Sequence, residues 1–191
     1  MWVPAVASVW SLANTVTVVR VLLVPLIVAA LLVDTSGGWR VVAGGLFALA
    51  AVTDRLDGYL ARRMGQVTDW GKLVDPVADK LLMGATLVTL SALGELPWWV
   101  TAVILFRELA VTVMRLAVVR YVVIPASRGG KVKTVLQAVG IGLFVLPLDR
   151  MPAQVLPVAW VVLVLALVVT VLTGFDYMRR GLVVRRAVEW T

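Results

Sequence analysis

The chain alternates long runs of hydrophobic residues with short polar segments. Several of these runs are long enough to cross a bilayer, whose hydrocarbon core of ~30 Å takes roughly 20 residues of helix. The segments between the runs carry turn-forming residues, as at 34–38, 94–97 and 147–152. This pattern predicts an all-α polytopic membrane protein with six transmembrane helices. Their predicted ranges are 14–33, 40–61, 75–94, 98–119, 131–148 and 153–175.

Composition agrees with a membrane protein and restricts the possible chemistry. Of the 191 residues, 61% are hydrophobic, whereas a soluble domain has about 45–50%. The whole chain, 1–191, is predicted to be one transmembrane domain, with a short interfacial segment before the first helix and a basic juxtamembrane tail at 176–191. There is no cysteine and no histidine, which excludes disulfides, thiolate nucleophiles and soft metal sites. Any general base must then be a carboxylate, lysine or tyrosine, and any metal must be bound by oxygen.

The net charge of +7 is explained by membrane topology, without a nucleic-acid partner. If the predicted helices cross in alternation, the segments on one side of the membrane contain few basic residues, Arg40 and Arg150. The basic residues of the other side are Arg62, Arg63, Lys72, Arg120, Arg128, Lys131, Lys133, Arg179, Arg180, Arg185 and Arg186. Because positive charge collects in cytoplasmic loops, that side and both termini are predicted to face the cytoplasm of a cell with this protein in its inner or plasma membrane.

Four aspartates lie where the pattern calls for apolar residues. Asp54 and Asp57 lie at the cytoplasmic end of the second span, and Asp75 and Asp79 at the start of the third. Pro76 suits a first helical position, which would make Asp75 the N-cap. Carboxylates within membrane spans are costly, so they are candidates for function. A short loop makes the two helices antiparallel neighbours, and four converging carboxylates require either protonation or divalent cations. A site with two such cations suits phosphoryl transfer.

Glycine, alanine and arginine residues complete the pattern around the aspartates. Gly58 and Ala61 leave the helix surface open to a ligand, and Arg62 suits a phosphate because its guanidinium makes bidentate hydrogen bonds. The run Asp54-x-x-Asp57-Gly58-x-x-Ala61-Arg62, followed after eight residues by Gly71-x-x-x-Asp75-x-x-x-Asp79, resembles the signature of the CDP-alcohol phosphotransferase family.

This resemblance implies a role for each aspartate. Asp54 and Asp75 would bridge two Mg²⁺ or Mn²⁺ ions, and Asp57 would complete the ligands of one of them. Asp79 would bind the other metal ion and act as the catalytic base. The reaction would be an in-line displacement, and the enzyme a homodimer. The residues expected to bind CDP-diacylglycerol are Gly58, Ala61, Arg62, Thr68, Gly71, Asn14 and Thr17. Thr68 also fits a helix cap, and Asn14 and Thr17 also fit caps of the first span.

Two further motifs indicate the acceptor. Arg107-Glu108-x₆-Arg115 in the fourth span and Gly130-Lys131-Val132-Lys133-Thr134-x-x-Gln137 at the start of the fifth resemble bacterial phosphatidylglycerophosphate synthases. So does Asn14-x-x-Thr17-x-x-Arg20, which departs at Ala13, where proline is usual. The resemblance implies transfer of the phosphatidyl group from CDP-diacylglycerol to the 1-hydroxyl of glycerol 3-phosphate. Cationic side chains would attract this dianion at the cytoplasmic mouth, namely Arg107, Arg115, Lys131 and Lys133.

Other interpretations stay open at this point. Lys131 and Lys133 also fit positive-inside flanking, and Arg107 with Glu108 also fits a structural ion pair. A related enzyme with another acceptor would be a cardiolipin synthase using phosphatidylglycerol, or a phosphatidylinositol phosphate synthase. A cation transporter would need polar residues through the membrane depth, whereas the aspartates gather at one end of two spans.

Overall fold

The computed structural model describes the backbone of residues 12–33, 37–64, 69–118 and 128–189, and the side chains of 17–33, 37–53, 77–114 and 129–179. These residues form six α-helices and one short 3₁₀ turn, Leu148–Arg150, and the described ranges contain no strand. The helices are α1 (Leu12–Val33), α2 (Gly38–Met64), α3 (Asp69–Ala92), α4 (Trp98–Val118), α5 (Arg128–Val145) and α6 (Val155–Glu189).

Each predicted span corresponds to one of these helices, so the predicted all-α fold with six helices is confirmed. Two boundaries differ by more than three residues. Helix α3 begins at Asp69, so Asp75 lies in its second turn, and the prediction that Asp75 is the N-cap was wrong. Helix α6 continues to Glu189, so most of the basic tail is helical. In both places the extra turns contain charged residues, and a search for apolar runs does not detect them.

The membrane crossings themselves are only partly supported. Within the described residues, Val155–Arg179 is the one segment both long and apolar enough to cross a bilayer, and Thr17–Val33 and Gly38–Thr53 are shorter apolar helices. Outward-facing residues such as Leu109 and Leu172 are 64% and 63% exposed, and exposed apolar surface of this kind suits a lipid environment. Six crossings with both termini in the cytoplasm remain a prediction, and the predicted interfacial segment before α1 lies outside the described residues.

The helices pack around a continuous apolar core. Helix α1 packs against α2 and α3, α5 packs against α2, α3 and α6, and α4 packs against α3 and α6. Glycine allows α5 and α6 to approach closely: a Cβ added at Gly140 of α5 would lie 3.2 Å from the Cα of Leu163 in α6. Ile27, Phe47 and Phe144 fill the centre with no more than 2% exposure. Helices α3, α4 and α5 therefore lie side by side, where their polar residues can meet.

One end of the bundle is held by a buried arginine. Helix α3 ends in a Schellman motif, in which Gly94 has a φ of +77° and the Glu95 amide donates to the Leu90 carbonyl at 3.0 Å. This turn presents Glu95 to Arg40 at the start of α2, and the two form an ion pair. Arg40, 3% exposed, also donates to the carbonyls of Phe144 at 3.1 Å and Val145 at 3.4 Å. These residues, Arg40, Glu95, Phe144 and Val145, are called the Arg40 network below.

Candidate active site

The four aspartates lie at matching depths on α2 and α3. Asp54 is ten residues before the end of α2 at Met64, and Asp79 is ten residues after the start of α3 at Asp69. At a rise of about 1.5 Å per residue, each lies about 15 Å along its helix from the segment that joins the two. Asp57 and Asp75 lie seven and six residues from the same segment, or about 10 Å. An antiparallel pair of helices would therefore place Asp54 opposite Asp79 and Asp57 opposite Asp75, with the two pairs about one helical turn apart.

The structure describes the side chain of only one member of this predicted site. Asp79 is half-buried, whereas the side chains of Asp54, Asp57 and Asp75 lie outside the described ones. Gly58, Ala61 and Arg62 lie on α2, Gly71 on α3, Asn14 on α1 and Arg115 on α4, again with side chains outside the described set, and Thr68 lies outside the described residues altogether. Thr17 is described, and its side chain is buried on α1 at 2% exposure.

Asp79 opens into a cavity of about 270 Å³ between α3, α4 and α5. The polar residues that line this cavity come from all three helices. They are Asp79, Lys80, Glu108, Lys133, Thr134 and Gln137. Below them the cavity is apolar, lined by residues such as Met83, Leu87 and Ile104. A carboxylate that could take a proton and two lysines that could attract an anion therefore share one partly enclosed space, which we call the Asp79 cavity.

Glu108 connects the positively charged side chains of this region. Its Oε1 accepts hydrogen bonds from Lys133 Nζ and, at 3.1 Å, from an Arg107 nitrogen. The backbone carbonyl of Glu108 accepts from the Thr112 hydroxyl at 2.7 Å, and Lys80 Nζ donates to that same hydroxyl oxygen. Glu108 thus provides the negative charge that permits Lys133, 6% exposed, to be buried at this depth.

Arg107 faces away from the Asp79 cavity and toward α6. Its Nε donates to the Thr170 carbonyl at 3.0 Å and another nitrogen donates to Thr173 Oγ1 at 2.8 Å. It lines a second, almost wholly apolar groove of about 530 Å³ between α4 and α6, beside Phe106 and Phe175. The alternative interpretation of Arg107 and Glu108 as a structural ion pair therefore has direct geometric support, and a direct role of Arg107 in acceptor binding stays a prediction.

The remaining acceptor candidates are placed differently from each other. Lys133 lines the Asp79 cavity, whereas Lys131, two residues earlier in α5, is exposed. A helix advances 100° per residue, so residues two apart point in very different directions. The sequence motif predicted the same role for both lysines, whereas in the structure only Lys133 of the two lines the cavity.

Sequence reasoning overlooked several polar residues of this region as members of the site. Lys80 and Gln137 line the cavity, Glu108 bridges Lys133 and Arg107, and Thr170 and Thr173 anchor Arg107. The α6 residues carried a detectable signal: Thr170, Thr173 and Gly174 are spaced i, i+3, i+4 in an otherwise apolar helix. That spacing puts them on one helical face, which indicates a polar partner on a neighbouring helix.

Comparison with known proteins identifies the relatives of this chain. The family model described as CDP-alcohol phosphatidyltransferase matches residues 10–172. A Mycobacterium tuberculosis protein named probable phosphatidylglycerophosphate synthase is 54% identical over 180 residues, which cover 92% of this chain and 84% of that protein. Proteins named CDP-diacylglycerol–glycerol-3-phosphate 3-phosphatidyltransferase are 34% identical in Bacillus subtilis (90% of this chain, 95% of the relative) and 35% identical in Rickettsia felis (88% and 94%).

Proposed function

Because this chain belongs to the CDP-alcohol phosphatidyltransferase family, as its aspartate signature predicted, and is a phosphotransferase, we propose that its acceptor is glycerol 3-phosphate. It would transfer the phosphatidyl group of CDP-diacylglycerol to the acceptor's 1-hydroxyl, giving phosphatidylglycerophosphate and CMP. The observation that carries this proposal is the Asp79 cavity, in which a carboxylate lies beside Lys80 and Lys133. The names of the relatives support the choice of acceptor.

The donor set fits divalent metal ions. Carboxylate oxygens are the ligands that Mg²⁺ and Mn²⁺ prefer, and the matching depths of the aspartates on α2 and α3 favour one shared site. Asp54, Asp57, Asp75 and Asp79 would hold two such ions. When bound, the ions supply positive charge that offsets the charge of the diphosphate in the transition state.

Asp79 is the proposed catalytic base. Its carboxylate takes the proton of the glycerol 3-phosphate 1-hydroxyl, and the hydroxyl oxygen attacks the lipid-side phosphorus of CDP-diacylglycerol. A new P–O bond forms, the bond from this phosphorus to the bridging oxygen breaks, and CMP leaves with that oxygen. With no histidine in the chain, a carboxylate is a suitable group for this role.

The lysines of the cavity are the proposed acceptor-binding groups. The phosphate of glycerol 3-phosphate is a dianion, and hydrogen bonds from charged donors to phosphate are about twice as strong as neutral ones. Lys133 is buried beside Asp79, so a phosphate held there lies close to the proposed base. Lys131 and Arg115 would act further out, where they attract the acceptor toward the mouth. Gly58, Ala61, Arg62, Thr68, Gly71, Asn14 and Thr17 are proposed to bind CDP-diacylglycerol.

The proposed setting is a bilayer with the aspartates near its cytoplasmic surface. Both substrates meet there, since CDP-diacylglycerol lies in the membrane and glycerol 3-phosphate is water-soluble. The family consists of membrane enzymes, and the distribution of basic residues supports this orientation. A homodimer, implied by the family resemblance, remains part of the proposal.

Release of CMP by purified protein tests this function. The protein in detergent with Mg²⁺ and CDP-diacylglycerol would be given glycerol 3-phosphate, inositol phosphate, serine or phosphatidylglycerol in separate reactions. We expect release with glycerol 3-phosphate alone. Asp79→Asn should abolish it, whereas Asp149→Asn, which changes an exposed aspartate of the 3₁₀ turn, should retain it. Release with a different acceptor would refute the proposed substrate, and full activity of Asp79→Asn would refute the proposed base.

A further inference from the structure

A continuous series of polar contacts leads from α6 to the Asp79 cavity. Thr170 and Thr173 of α6 accept hydrogen bonds from Arg107, Arg107 donates to Glu108, and the same Glu108 oxygen accepts from Lys133 Nζ. Three helices thus contribute to fixing one lysine. Gln137 of α5 adds a second link, because its Nε2 donates to the Thr170 hydroxyl at 3.0 Å.

All three guanidinium nitrogens of Arg107 donate to protein partners. Its side chain is 13% exposed, and Nε, NH1 and NH2 each donate to a protein oxygen. Gly174 makes this arrangement possible, since a Cβ there would lie 3.0 Å from Arg107 Cγ and 3.2 Å from its Nε. The planar guanidinium presents its donors in a fixed arrangement, so the three contacts define the position of the group. Arg107 is therefore built into the interface between α4 and α6.

The Glu108 carboxylate couples the position of the Arg107 guanidinium to that of the Lys133 ammonium. One carboxylate oxygen serves both cations, so the orientation that satisfies Arg107 also determines where the lysine ammonium is held. A lysine has a flexible four-carbon stem and a compact charge, and it needs such a partner to be held at one point. Lys133 and Glu108 both line the cavity with Asp79, whereas Arg107 lines the apolar groove on the other side of α4.

We propose that Arg107 and Glu108 are positioning residues that, anchored by Thr173 and Thr170 of α6, hold the Lys133 ammonium where it binds the phosphate of the acceptor. This inference rests on the proposed function, and it assigns to α6 a part in acceptor binding. It predicts that changes on α6 weaken the binding of glycerol 3-phosphate without a comparable change in the use of CDP-diacylglycerol.

Thr173→Val tests the proposal from outside the cavity. The substitution keeps the shape of the side chain and removes the oxygen that accepts from Arg107. We expect the KM for glycerol 3-phosphate to rise on the order of three- to tenfold, which is less than the full loss of one hydrogen bond to a charged group, because Arg107 keeps its contacts with Thr170 and Glu108. The kcat and the KM for CDP-diacylglycerol should change less than about twofold. Glu108→Gln, which retains an acceptor oxygen but loses the charge, should raise the same KM at least as much.

Thr86→Val is the matched control. Thr86 is buried more deeply than Thr173, at 1% exposure, and the Thr86 hydroxyl donates to the Leu82 carbonyl of its own helix at 2.8 Å, as the Thr173 hydroxyl donates to the Val169 carbonyl. It should leave both KM values unchanged. Thermal unfolding of each variant in detergent, measured on the same samples, separates an altered KM from a loss of folded protein.

Arg107→Lys distinguishes positioning from direct binding. If Arg107 bound the phosphate by charge, lysine would preserve most of the affinity. Under the proposal, lysine cannot maintain three contacts, so the KM rises, and adding Thr173→Val to Arg107→Lys produces no further rise. A wild-type KM in Thr173→Val or in Arg107→Lys would overturn the inference. If the wild-type protein itself does not use glycerol 3-phosphate, the proposed function fails, which is a separate outcome of the same assay.

Discussion

Replacing Arg40 by methionine should destabilise the fold at the end of the bundle opposite to the aspartates on α2. Methionine keeps most of the apolar stem and removes the guanidinium. The Phe144 and Val145 carbonyls, which receive hydrogen bonds from Arg40, belong to the last turn of α5. Carbonyls there have no partner within the helix, so the substitution leaves them without this donor. It also leaves Glu95 without its ion-pair partner.

The expected cost follows from the burial of each group. Hydrogen bonds that involve a charged group contribute about 1.5–3 kcal/mol, and breaking a fully buried ion pair costs about 3–5 kcal/mol. Glu95 is 27% exposed, so solvent stabilises part of its charge and the upper value does not apply. We therefore expect Arg40→Met to lower the free energy of unfolding by about 3 kcal/mol. Adding Glu95→Gln should cost less than it does in the wild-type protein, because the partner charge is already gone.

Equilibrium unfolding in mixed micelles of a mild detergent and sodium dodecyl sulfate, followed by the helical circular dichroism signal, measures this difference. Arg150→Met is the matched control, since Arg150 is an exposed arginine of the adjacent 3₁₀ turn. It should change stability by less than about 0.5 kcal/mol. Arg40 lies fourteen residues before Asp54 on α2, about 21 Å along the helix, so the KM values of folded Arg40→Met should be those of the wild type. Stability of Arg40→Met within about 0.5 kcal/mol of Arg150→Met would refute the reasoning.

Two further predictions concern the packing of α5 and the metal requirement. Gly140→Ala should destabilise the protein by about 1–3 kcal/mol, because the added methyl would meet the Leu163 backbone at 3.2 Å. In the control Gly45→Ala the methyl meets nothing within 4 Å, so this variant should be neutral or more stable by up to about 1 kcal/mol through helix propensity. The same unfolding assay compares the two variants, and equal stability would contradict the packing of α5 against α6. Chelation by EDTA should abolish CMP release, and excess Mg²⁺ or Mn²⁺ should restore it, because the four aspartates on α2 and α3 are suitable oxygen ligands for divalent ions. Undiminished release in EDTA would contradict the proposed metal site.

The helices were predictable because each contains a long run of mostly apolar residues. Helix α4, for example, begins at Trp98 and ends at Val118, against a predicted range of 98–119. The start of α3 was missed by six residues because Asp69, Lys72 and Asp75 interrupt the apolar pattern there. An aspartate in the first turn of a helix is favourable, yet hydropathy gives no indication of it. Whether each helix crosses a membrane is a separate matter, since most of them carry charged residues along with their apolar ones.

The family was predictable because its signature residues share a helix or lie on helices joined by a short loop. The spacing of Asp54, Asp57, Asp75 and Asp79 led to the family, and the family match confirms it. The partners of Arg107 lie 63 and 66 residues further along the chain, and α4 and α6 become neighbours only through tertiary packing. No local pattern connects such residues. Arg107 was therefore predicted to bind the acceptor, and no role was predicted for Thr170 and Thr173.

Helices α2 and α3 both carry polar residues toward each of their ends, with an apolar stretch between them. Arg40 and Asp54 mark the two polar regions of α2, and Asp79 and Glu95 mark those of α3 and the turn after it, fourteen and sixteen residues apart. These separations are about 21 and 24 Å of helix, close to the ~30 Å of a hydrocarbon core. Because an unsatisfied polar group is costly in lipid, each region needs its own partners. One region is satisfied within the protein by the Arg40 network, and the other is the proposed binding site for charged substrates. Under the proposed function, stability and catalysis therefore depend on different ends of the same two helices.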